Sequence, residues 1–255
     1  MTNNKVLAVI PARYASTRFP GKPLVEILGK PMIQRVYEQA EKARTLDHVI
    51  VATDDQRIFD TVEQFGGEVE MTSSDLRNGT ERVAAVASKF NYDIVVNVQG
   101  DEPFIDPDAI DAAVSLLIQD SSAQMGTLVK PIDTIDELVN KNLPKVILDQ
   151  QQQAIYFSRS PIPFIRDVAS TNEWLNHHRY YRHIGLYVYR NSFLPIYISL
   201  PETPLERAEK LEQLRAIENG YRIKVAIVEH APEGIDTPDD LQTLIYKLKE
   251  NEIGK

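Results

Sequence analysis

The sequence contains no cysteine. This absence excludes disulfide bridges and metal sites built from thiolates, and it fits the reducing interior of a cell. No apolar run approaches the roughly 20 residues that a membrane-spanning helix needs. The first residues, Met-Thr-Asn-Asn-Lys, lead directly into a strand pattern, so we expect no signal peptide. We therefore expect a cytoplasmic protein with no membrane partner.

The sequence also has fewer basic than acidic residues. It contains 28 Lys and Arg and 37 Asp and Glu, which gives a net charge of −9. General nucleic-acid binding depends on a basic surface, so we expect no nucleic-acid partner. A local basic cluster can still hold a small anionic substrate. The 255 residues, 43% of them hydrophobic and 25% charged, suffice for one α/β domain with a large core.

Strand-type segments alternate with helical patterns through the first half of the chain. We predict strands over Val6–Ile10, His48–Thr53, Glu68–Met71 and Asp93–Val98, and helices over Pro31–Ala43, Gln56–Phe65, Thr80–Phe90 and Pro107–Gln119, with Thr80 as a candidate cap. This alternation is typical of the α/β class, with a mostly parallel sheet and helices on both faces. Ligands of such sheets bind at the carboxyl ends of the strands.

The pattern changes from about residue 124. We predict strands over Thr127–Pro131, Val146–Asp149, Ala154–Arg159, Ile184–Tyr189 and Ile223–Val228, and helices over Leu205–Asn219 and from about Pro238. The segment Pro161–Tyr181 lacks clean periodicity, and we interpret it as an exposed excursion that contacts another subunit. The predicted layout is a single domain over residues 1–255 with a smaller β-rich extension at about residues 125–200.

Four polar side chains suited to a polyphosphate occur on the loop after the first strand, namely Arg13, Ser16, Arg18 and Lys22. Arginine donates two parallel hydrogen bonds to phosphate oxygens, and lysine acts as a point charge. The loop carries neither the P-loop motif nor the dinucleotide fingerprint. A solvated basic turn is the alternative interpretation.

Two carboxylates occupy positions that suit a hard cation. Asp101 follows the predicted strand Asp93–Val98, and Asp236 stands directly before Thr237-Pro238. Oxygen ligands are those that Mg²⁺ prefers, so the pair could hold one metal against a triphosphate. Both residues also occur where a helix or turn needs a cap, with Thr237 as a second candidate cap for the last helix.

Several other polar groups have a structural interpretation beside the functional one. Asn78-Gly-Thr-Glu-Arg82 opens a helix, whose free N–H groups bind anions, yet it is equally a capping sequence. Arg159 can receive a carboxylate. His183 can hydrogen-bond a hydroxyl, although a lone histidine is more often structural. A solvated helix face would account for the last set, Glu209, Glu212 and Arg215.

Together these motifs resemble the 3-deoxy-manno-octulosonate cytidylyltransferases, also called CMP-KDO synthetases. The resemblance covers nearly the whole chain, and the order and number of the motifs make it specific. The motifs are Ile10–Leu24, Val51-Ala-Thr-Asp54, Asn78–Arg82, Asn97–Pro103, Tyr156–Arg159, His183–Tyr187, Leu211–Arg215 and Asp236–Pro238. It implies a Rossmann-like nucleotidyltransferase fold and transfer of CMP from CTP to the anomeric hydroxyl of 3-deoxy-D-manno-octulosonate (KDO). Pyrophosphate would be released with Mg²⁺ as cofactor, in lipopolysaccharide biosynthesis.

The resemblance also implies a role for each matching residue. The catalytic residues would be Arg13, Arg18, Lys22 and Asp101, and Asp101 and Asp236 would ligate Mg²⁺. The nucleotide would be bound by Arg13, Ser16, Arg18, Lys22, Asn78, Gly79, Thr80 and Arg82. The sugar acid would be bound by Gln99, Tyr156, Ser158, Arg159, His183, Tyr187, Glu212 and Gln213, with Arg159 facing its carboxylate. The excursion would help to form a homodimer.

The chain departs from the family pattern at Leu76-Arg77-Asn78, where many members have His-x-Ser. Backbone contacts to cytosine would survive this change, whereas a contact from the serine hydroxyl would not. Two other functions remain open. The same fold could act on a related sugar, such as 8-amino-KDO, a sialic-acid relative or a sugar 1-phosphate, or the chain could be a non-catalytic nucleotide-binding regulator. Retention of both Asp101 and Asp236 beside the basic loop argues against the regulator.

Overall fold

A computed structural model describes residues 4–15, 19–231 and 234–253, with side chains described as far as residue 248. Two of the predicted phosphate-binding residues, Ser16 and Arg18, lie outside the described residues. The chain divides into two compact units. The first contains the chain up to Ile110 and the C-terminal segment that follows residue 231, and the second runs from Asp111 to Ala231. The expected single domain with a β-rich extension stays a prediction.

The secondary structure alternates as the sequence predicts. The strands are β1 (Val6–Ala12), β2 (Glu26–Ile27), β3 (Lys30–Pro31), β4 (His48–Thr53), β5 (Val69–Met71), β6 (Ile94–Asn97), β7 (Met125–Pro131), β8 (Lys145–Leu148), β9 (Ala154–Ser158), β10 (Tyr181–Arg190) and β11 (Ile223–Ile227). The helices are α1 (Met32–Ala40), α2 (Gln56–Gln64), α3 (Gly79–Ala87), α4 (Pro107–Gln119), α5 (Ile135–Val139), α6 (Leu194–Ser199), α7 (Pro204–Glu209), α8 (Leu214–Glu218) and α9 (Pro238–Ile253). Short 3₁₀ helices cover Lys22–Leu24 and Thr171–Asn176.

The first unit is built on the parallel strands β6-β1-β4-β5, in that order. Strand β1 lies between two neighbours, and its residues from Val6 to Ile10 are buried. A continuous run of apolar residues is what a strand covered on both faces requires. The predicted α/β class with a mostly parallel sheet is confirmed.

The direction of the chain reverses beside β1. It leaves β1 towards β4 on one side and later returns to β6 on the other, so a crevice forms at the carboxyl ends of β1 and β6. The loops after these strands pack closely. A Cβ atom at Gly100 would lie 2.7 Å from the carbonyl oxygen of Pro11. Glycine is therefore required at this position by the close approach of two backbones.

Two helix starts settle alternatives that the sequence left open. The side-chain oxygen of Asn78 accepts a hydrogen bond from the Glu81 N–H at 2.8 Å and caps α3. Thr80 lies inside that helix, so its expected role as the cap is wrong. At α9 the hydroxyl of Thr237 accepts from the Asp240 N–H at 3.2 Å. Thr237 therefore caps this helix.

The second unit is rich in strands between residues 125 and 190. Strand β10 pairs antiparallel with β7 and with β8, which pairs antiparallel with β9. Strand β11 joins β7 in parallel. Short helices α5 and α6, which the sequence did not predict, complete the connections.

The predicted long helix over Leu205–Asn219 is wrong, because the segment forms two helices, α7 and α8. Lys210, which ends α7, adopts the left-handed conformation with φ of 53°. A left-handed residue stops the hydrogen-bond ladder of a right-handed helix. The residues Leu211 to Gln213 can therefore form an irregular link between the two helices.

The solvated helix face, one interpretation that the sequence left open, does not apply to Arg215, because its side chain is buried. Its Nε and Nη2 atoms donate to the carboxylate of Glu206 at 2.9 and 2.5 Å. Glu206 belongs in turn to the capping box that starts α7 at Thr203. Two parallel hydrogen bonds between the guanidinium and the carboxylate help to offset the cost of removing both charges from water. This ion pair ties α8 to the start of α7.

Within the residues that the structure describes, no helix combines the length and the apolar character that crossing a membrane requires.

We expect Gly100→Ala to lower the free energy of unfolding by about 1–3 kcal/mol, because the new methyl group must displace the backbone at Pro11. Urea denaturation would measure the change. Gly234→Ala is the matched control, since a Cβ atom there has, among the described residues other than its chain neighbours, no heavy atom within 4 Å. Equal stability of the two variants would contradict the packing argument.

Candidate active site

A cavity of about 400 Å³ opens in the first unit at the carboxyl ends of β1 and β6. Its size is in the range of small-molecule sites. The strand-end loops and the start of α3 line it. Among the lining residues are six that the sequence singled out: Arg13, Lys22, Gly79, Arg82, Gln99 and Asp101.

Lys22 brings the two predicted metal ligands together. Its Nζ atom lies 2.7 Å from the Asp101 carboxylate and 3.6 Å from that of Asp236. The same ammonium donates to the Ile235 carbonyl at 2.8 Å. Two carboxylates from distant parts of the chain thus face one cation. Groups of three or more acidic, histidine or cysteine ligands do not occur among the described residues.

A second charged cluster surrounds Arg82, a fully buried residue in the first turn of α3. Its Nη2 atom donates to Asp54 at 2.7 Å, and its Nη1 atom donates to the hydroxyl of Thr72. Asp54 and Thr72 directly follow β4 and β5. The Nε atom of Arg13 lies 3.9 Å from the same Asp54 carboxylate. Sequence motifs pointed to Arg13 and Arg82, but the role of Thr72 was missed.

The ends of the predicted phosphate loop are held in two ways. The Gly21 N–H donates to the Tyr14 carbonyl at 2.9 Å, which closes the loop between them. The Arg57 guanidinium lies over the Tyr14 ring, 3.3 Å from its centroid. Asp55 at the start of α2 holds that guanidinium through both carboxylate oxygens. The stacking of Arg57 on Tyr14 restrains the loop from α2. The sequence motifs did not reveal this contact.

The departure from the family pattern at residues 76–78 has a structural role here. The side-chain oxygen of Asn78 caps α3, and the carbonyl of Arg77 accepts a hydrogen bond from Arg13 Nη1 at 3.4 Å. Gly79 lines the cavity, whereas Thr80 is largely buried behind it.

Glu102, next to Asp101, is a buried carboxyl group. Burial, and to a smaller degree the Asp101 charge, raise the pKa of Glu102 to about 8. Near neutral pH the group is therefore mainly protonated, and it adds little negative charge beside Asp101.

In the second unit, Glu209 holds the end of β9, which carries Tyr156 and Ser158. Its carboxylate accepts from the Ser158 hydroxyl at 2.6 Å and from the Arg159 N–H at 2.9 Å. The Arg159 guanidinium donates to the Glu209, Lys141 and Lys210 carbonyls, at 2.7, 2.9 and 3.3 Å. A solvated helix face was one interpretation of Glu209 from the sequence, whereas in the structure its carboxylate anchors two predicted sugar-binding residues.

Lys145, on β8 opposite Ser158, was not singled out from the sequence. It is fully buried, and its ammonium donates to the Asn140 and Leu143 carbonyls at 2.9 and 2.8 Å. Burial lowers the pKa of Lys145 to about 8, and the Arg159 cation contributes.

His183, on β10, packs among aromatic rings, with its centroid 5.2 Å from that of Phe157 and 5.3 Å from that of Tyr187. Its Nε2 atom lies 3.0 Å from the Thr127 hydroxyl, which donates to the Leu186 carbonyl at 2.8 Å. Burial lowers the pKa of His183 to about 3, so the ring is neutral.

Two further polar atoms near these strands are buried without a hydrogen-bond partner among the described residues, the Tyr187 hydroxyl and Gln213 Nε2. Such atoms are costly unless something else satisfies them. Glu212 lies close enough to Tyr187 to add to the rise in its pKa, which burial dominates. The predicted sugar-binding residues therefore lie in the second unit, except Gln99, which lines the cavity of the first.

Comparisons with known proteins point to one family. The cytidylyltransferase family model matches residues 7–224. The 3-deoxy-manno-octulosonate cytidylyltransferase of Geobacter sulfurreducens is 51% identical over 248 residues, which are 96% of this chain and 99% of that protein. The enzyme of the same name from Parabacteroides distasonis is 52% identical over 250 residues, 96% of this chain and 98% of that protein. A solved structure of CMP:2-keto-3-deoxy-manno-octonic acid synthetase complexed with CTP superposes with a TM-score of 0.90 at 40% identity, covering 97% of this chain and 99% of that one.

We expect acid to destabilise the fold through His183, whose pKa is about 3 in the folded chain against an ordinary 6.5. Below pH 6.5 the unfolded chain binds a proton that the folded chain does not. The stability is full above pH 6.5 and is lost towards pH 3, by about 2 kcal/mol between pH 7 and pH 5.

His183→Gln removes the titrating ring and should reduce this loss, as measured by urea denaturation at both pH values. His177→Gln, at an exposed histidine, serves as the control. If the His183 variant lost as much stability as the wild type between these pH values, the assignment would be wrong.

Proposed function

The chain belongs to the 3-deoxy-manno-octulosonate cytidylyltransferases, and from this premise we propose that it transfers CMP from CTP to the anomeric hydroxyl of KDO and releases pyrophosphate. The observation that carries the proposal is that the Lys22 ammonium lies close to the carboxylates of both Asp101 and Asp236. Nucleotidyl transfer needs positioning and charge neutralisation more than covalent catalysis, and this arrangement suits both needs.

We propose that Asp101 and Asp236 hold Mg²⁺. The fit is supported by their convergence on one cation, since both carboxylates already face the Lys22 ammonium. Held by Asp101 and Asp236, Mg²⁺ would supply positive charge that offsets the charge of the phosphates. Carboxylate oxygens are suitable ligands for this hard ion.

The chain's own residues then act on the triphosphate. Lys22 can exchange its carboxylate partners for phosphate oxygens, since its four-carbon stem leaves the ammonium free to rotate. Arg13 and Arg82 supply guanidinium N–H groups in the same cavity. As the sugar hydroxyl loses its proton to solvent and its oxygen bonds to the α-phosphorus, the bond to the pyrophosphate oxygen breaks. These cations stabilise the negative charge that builds on the leaving group.

The second unit supplies groups that suit an acidic sugar. Three of the five N–H donors of Arg159 are directed to backbone carbonyls, which leaves two for a carboxylate. The neutral ring of His183, the Tyr187 hydroxyl and the Gln213 amide suit sugar hydroxyls. A related sugar, such as 8-amino-KDO, would fit the same chemistry and is the alternative substrate.

We propose further that two copies form a homodimer through the excursion of residues 161–181. Phe164 there is 71% exposed, and its ring packs edge-on against Trp174 with 5.2 Å between centroids. An exposed apolar ring such as that of Phe164, packed on the buried Trp174, favours contact with another protein surface. Sedimentation equilibrium that gave the mass of one chain would contradict the dimer.

We propose a cytoplasmic location, where CTP is available, and a role in lipopolysaccharide biosynthesis, in which the activated sugar would serve a glycosyltransferase. Accumulation of free KDO in cells that lack this chain would support the pathway. Unchanged KDO levels would contradict it.

The direct test is pyrophosphate release from CTP with KDO, measured with Mg²⁺ and again with excess chelator. We expect release with KDO and Mg²⁺, and almost none after chelation. A panel with the other three nucleoside triphosphates, 8-amino-KDO, a sialic acid and a sugar 1-phosphate would define selectivity. Binding of CTP without release for any sugar would instead indicate a nucleotide-binding regulator.

We expect Lys22→Met to lower turnover about 100-fold, because the triphosphate loses one preorganised cation. Binding of Mn²⁺, a spectroscopic substitute for Mg²⁺, should become tighter in the absence of nucleotide, since no ammonium then competes for Asp101. Electron paramagnetic resonance would measure free Mn²⁺. Lys30→Met, which removes a surface pair with Glu38, should change neither quantity. Weaker Mn²⁺ binding by the Lys22 variant would contradict the competition.

A further inference from the structure

Asp54 ends the motif Val51-Ala-Thr-Asp54, to which the proposed function assigns no role. It follows β4 directly and so lies at the edge of the sheet where ligands bind. Its Oδ2 atom accepts from Arg82 Nη2 at 2.7 Å and lies 3.9 Å from Arg13 Nε. The Asp54 carboxylate thus lies beside the guanidinium groups of Arg13 and Arg82, two residues that line the same cavity.

Arg82 depends on Asp54 for its charge balance. The residue is fully buried, and a buried cation without a counter-ion is strongly destabilising. Burial lowers the pKa of Arg82 and the Arg13 cation lowers it further, whereas Asp54 raises it. Its second anchor, the Thr72 hydroxyl, is itself fixed by donating to the Thr53 carbonyl at 3.0 Å. The guanidinium is therefore held in one orientation.

The two arginines carry three buried nitrogen atoms that have no hydrogen-bond partner among the described residues. They are Arg13 Nε, Arg13 Nη2 and Arg82 Nε. Leaving a buried donor unsatisfied is unfavourable, so such donors beside a cavity point to a ligand that carries acceptor oxygens. The phosphates and the cytidine of CTP are rich in such oxygens.

We propose that Asp54 is a positioning residue for the nucleotide. It holds Arg13 and Arg82 side by side, offsets the repulsion between their charges and leaves their remaining donors for CTP. Asp54 itself does not touch the substrate. The inference rests on the proposed function, because it takes CTP as the ligand of this cavity.

The first experiment measures CTP binding to Asp54→Asn by calorimetry without sugar, followed by KM for CTP and for KDO. We expect CTP to bind about 10- to 100-fold more weakly, and KM for KDO to stay unchanged. Asp47→Asn is the matched control. Its carboxylate accepts from the Val6 N–H at 2.7 Å in the same unit, and it does not line the cavity. The control should bind CTP as the wild type does.

A double-mutant cycle separates positioning from a purely structural role. If Asp54 acts largely through Arg82, the double variant Asp54→Asn/Arg82→Gln should lose much less CTP affinity than the product of the two single losses. Losses that multiply fully would contradict this route. So would an Asp54 variant that melts at a lower temperature yet keeps the wild-type Kd for CTP.

Thr72→Val tests the same arrangement if Asp54→Asn does not fold, because it removes the other acceptor of Arg82. It should weaken CTP binding and leave KM for KDO unchanged, and a wild-type Kd in this variant would overturn the proposal. A wild-type chain that binds CTP but releases no pyrophosphate would contradict the proposed function, while the binding comparison would still decide the role of Asp54. A wild-type chain that does not bind CTP would overturn both.

Discussion

The first unit depends on one interaction, the attraction between the Lys22 ammonium and the carboxylates of Asp101 and Asp236. Two carboxylates near one point repel each other, and a cation between them removes that cost. The contact joins the loop after β1 to segments far along the chain, since Lys22 also donates to Ile235, 213 residues away. The candidate phosphate site is therefore held together by charges from segments that lie far apart in the sequence.

The two units use different chemistry for their candidate ligands. In the first unit Arg13, Lys22 and Arg82 bring positive charge to one cavity of an otherwise acidic protein. In the second, burial keeps His183 neutral, and the charge of Arg159 is surrounded by backbone carbonyls. Charges suit the phosphates, whose charge changes during nucleotidyl transfer, whereas neutral groups suit hydroxyls that only need recognition.

Periodicity was sufficient to locate the strands of the first unit and to predict that they run parallel, because buried strands read as continuous apolar runs. It failed at residues 205–219, where the apolar spacing looks helical but Lys210 turns left-handed and divides the segment. It also left a solvated helix face open for Glu209 and Arg215, whose carboxylate and guanidinium are bound within the fold. Charged residues usually face water, and burial of a charge depends on a partner that local spacing cannot reveal.

The sequence by itself determined the α/β alternation, the motifs and hence the family, because hydrophobic periodicity and motif order are local properties of the chain. Only the tertiary structure decided which charges meet. Lys22 and Asp101 are 79 residues apart, and Arg82 meets Asp54 across 28 residues. These pairs exist because the parallel sheet brings the carboxyl ends of β1, β4 and β6 to one edge, and strand order is a long-range property. Local propensity extends over a few residues and cannot encode it.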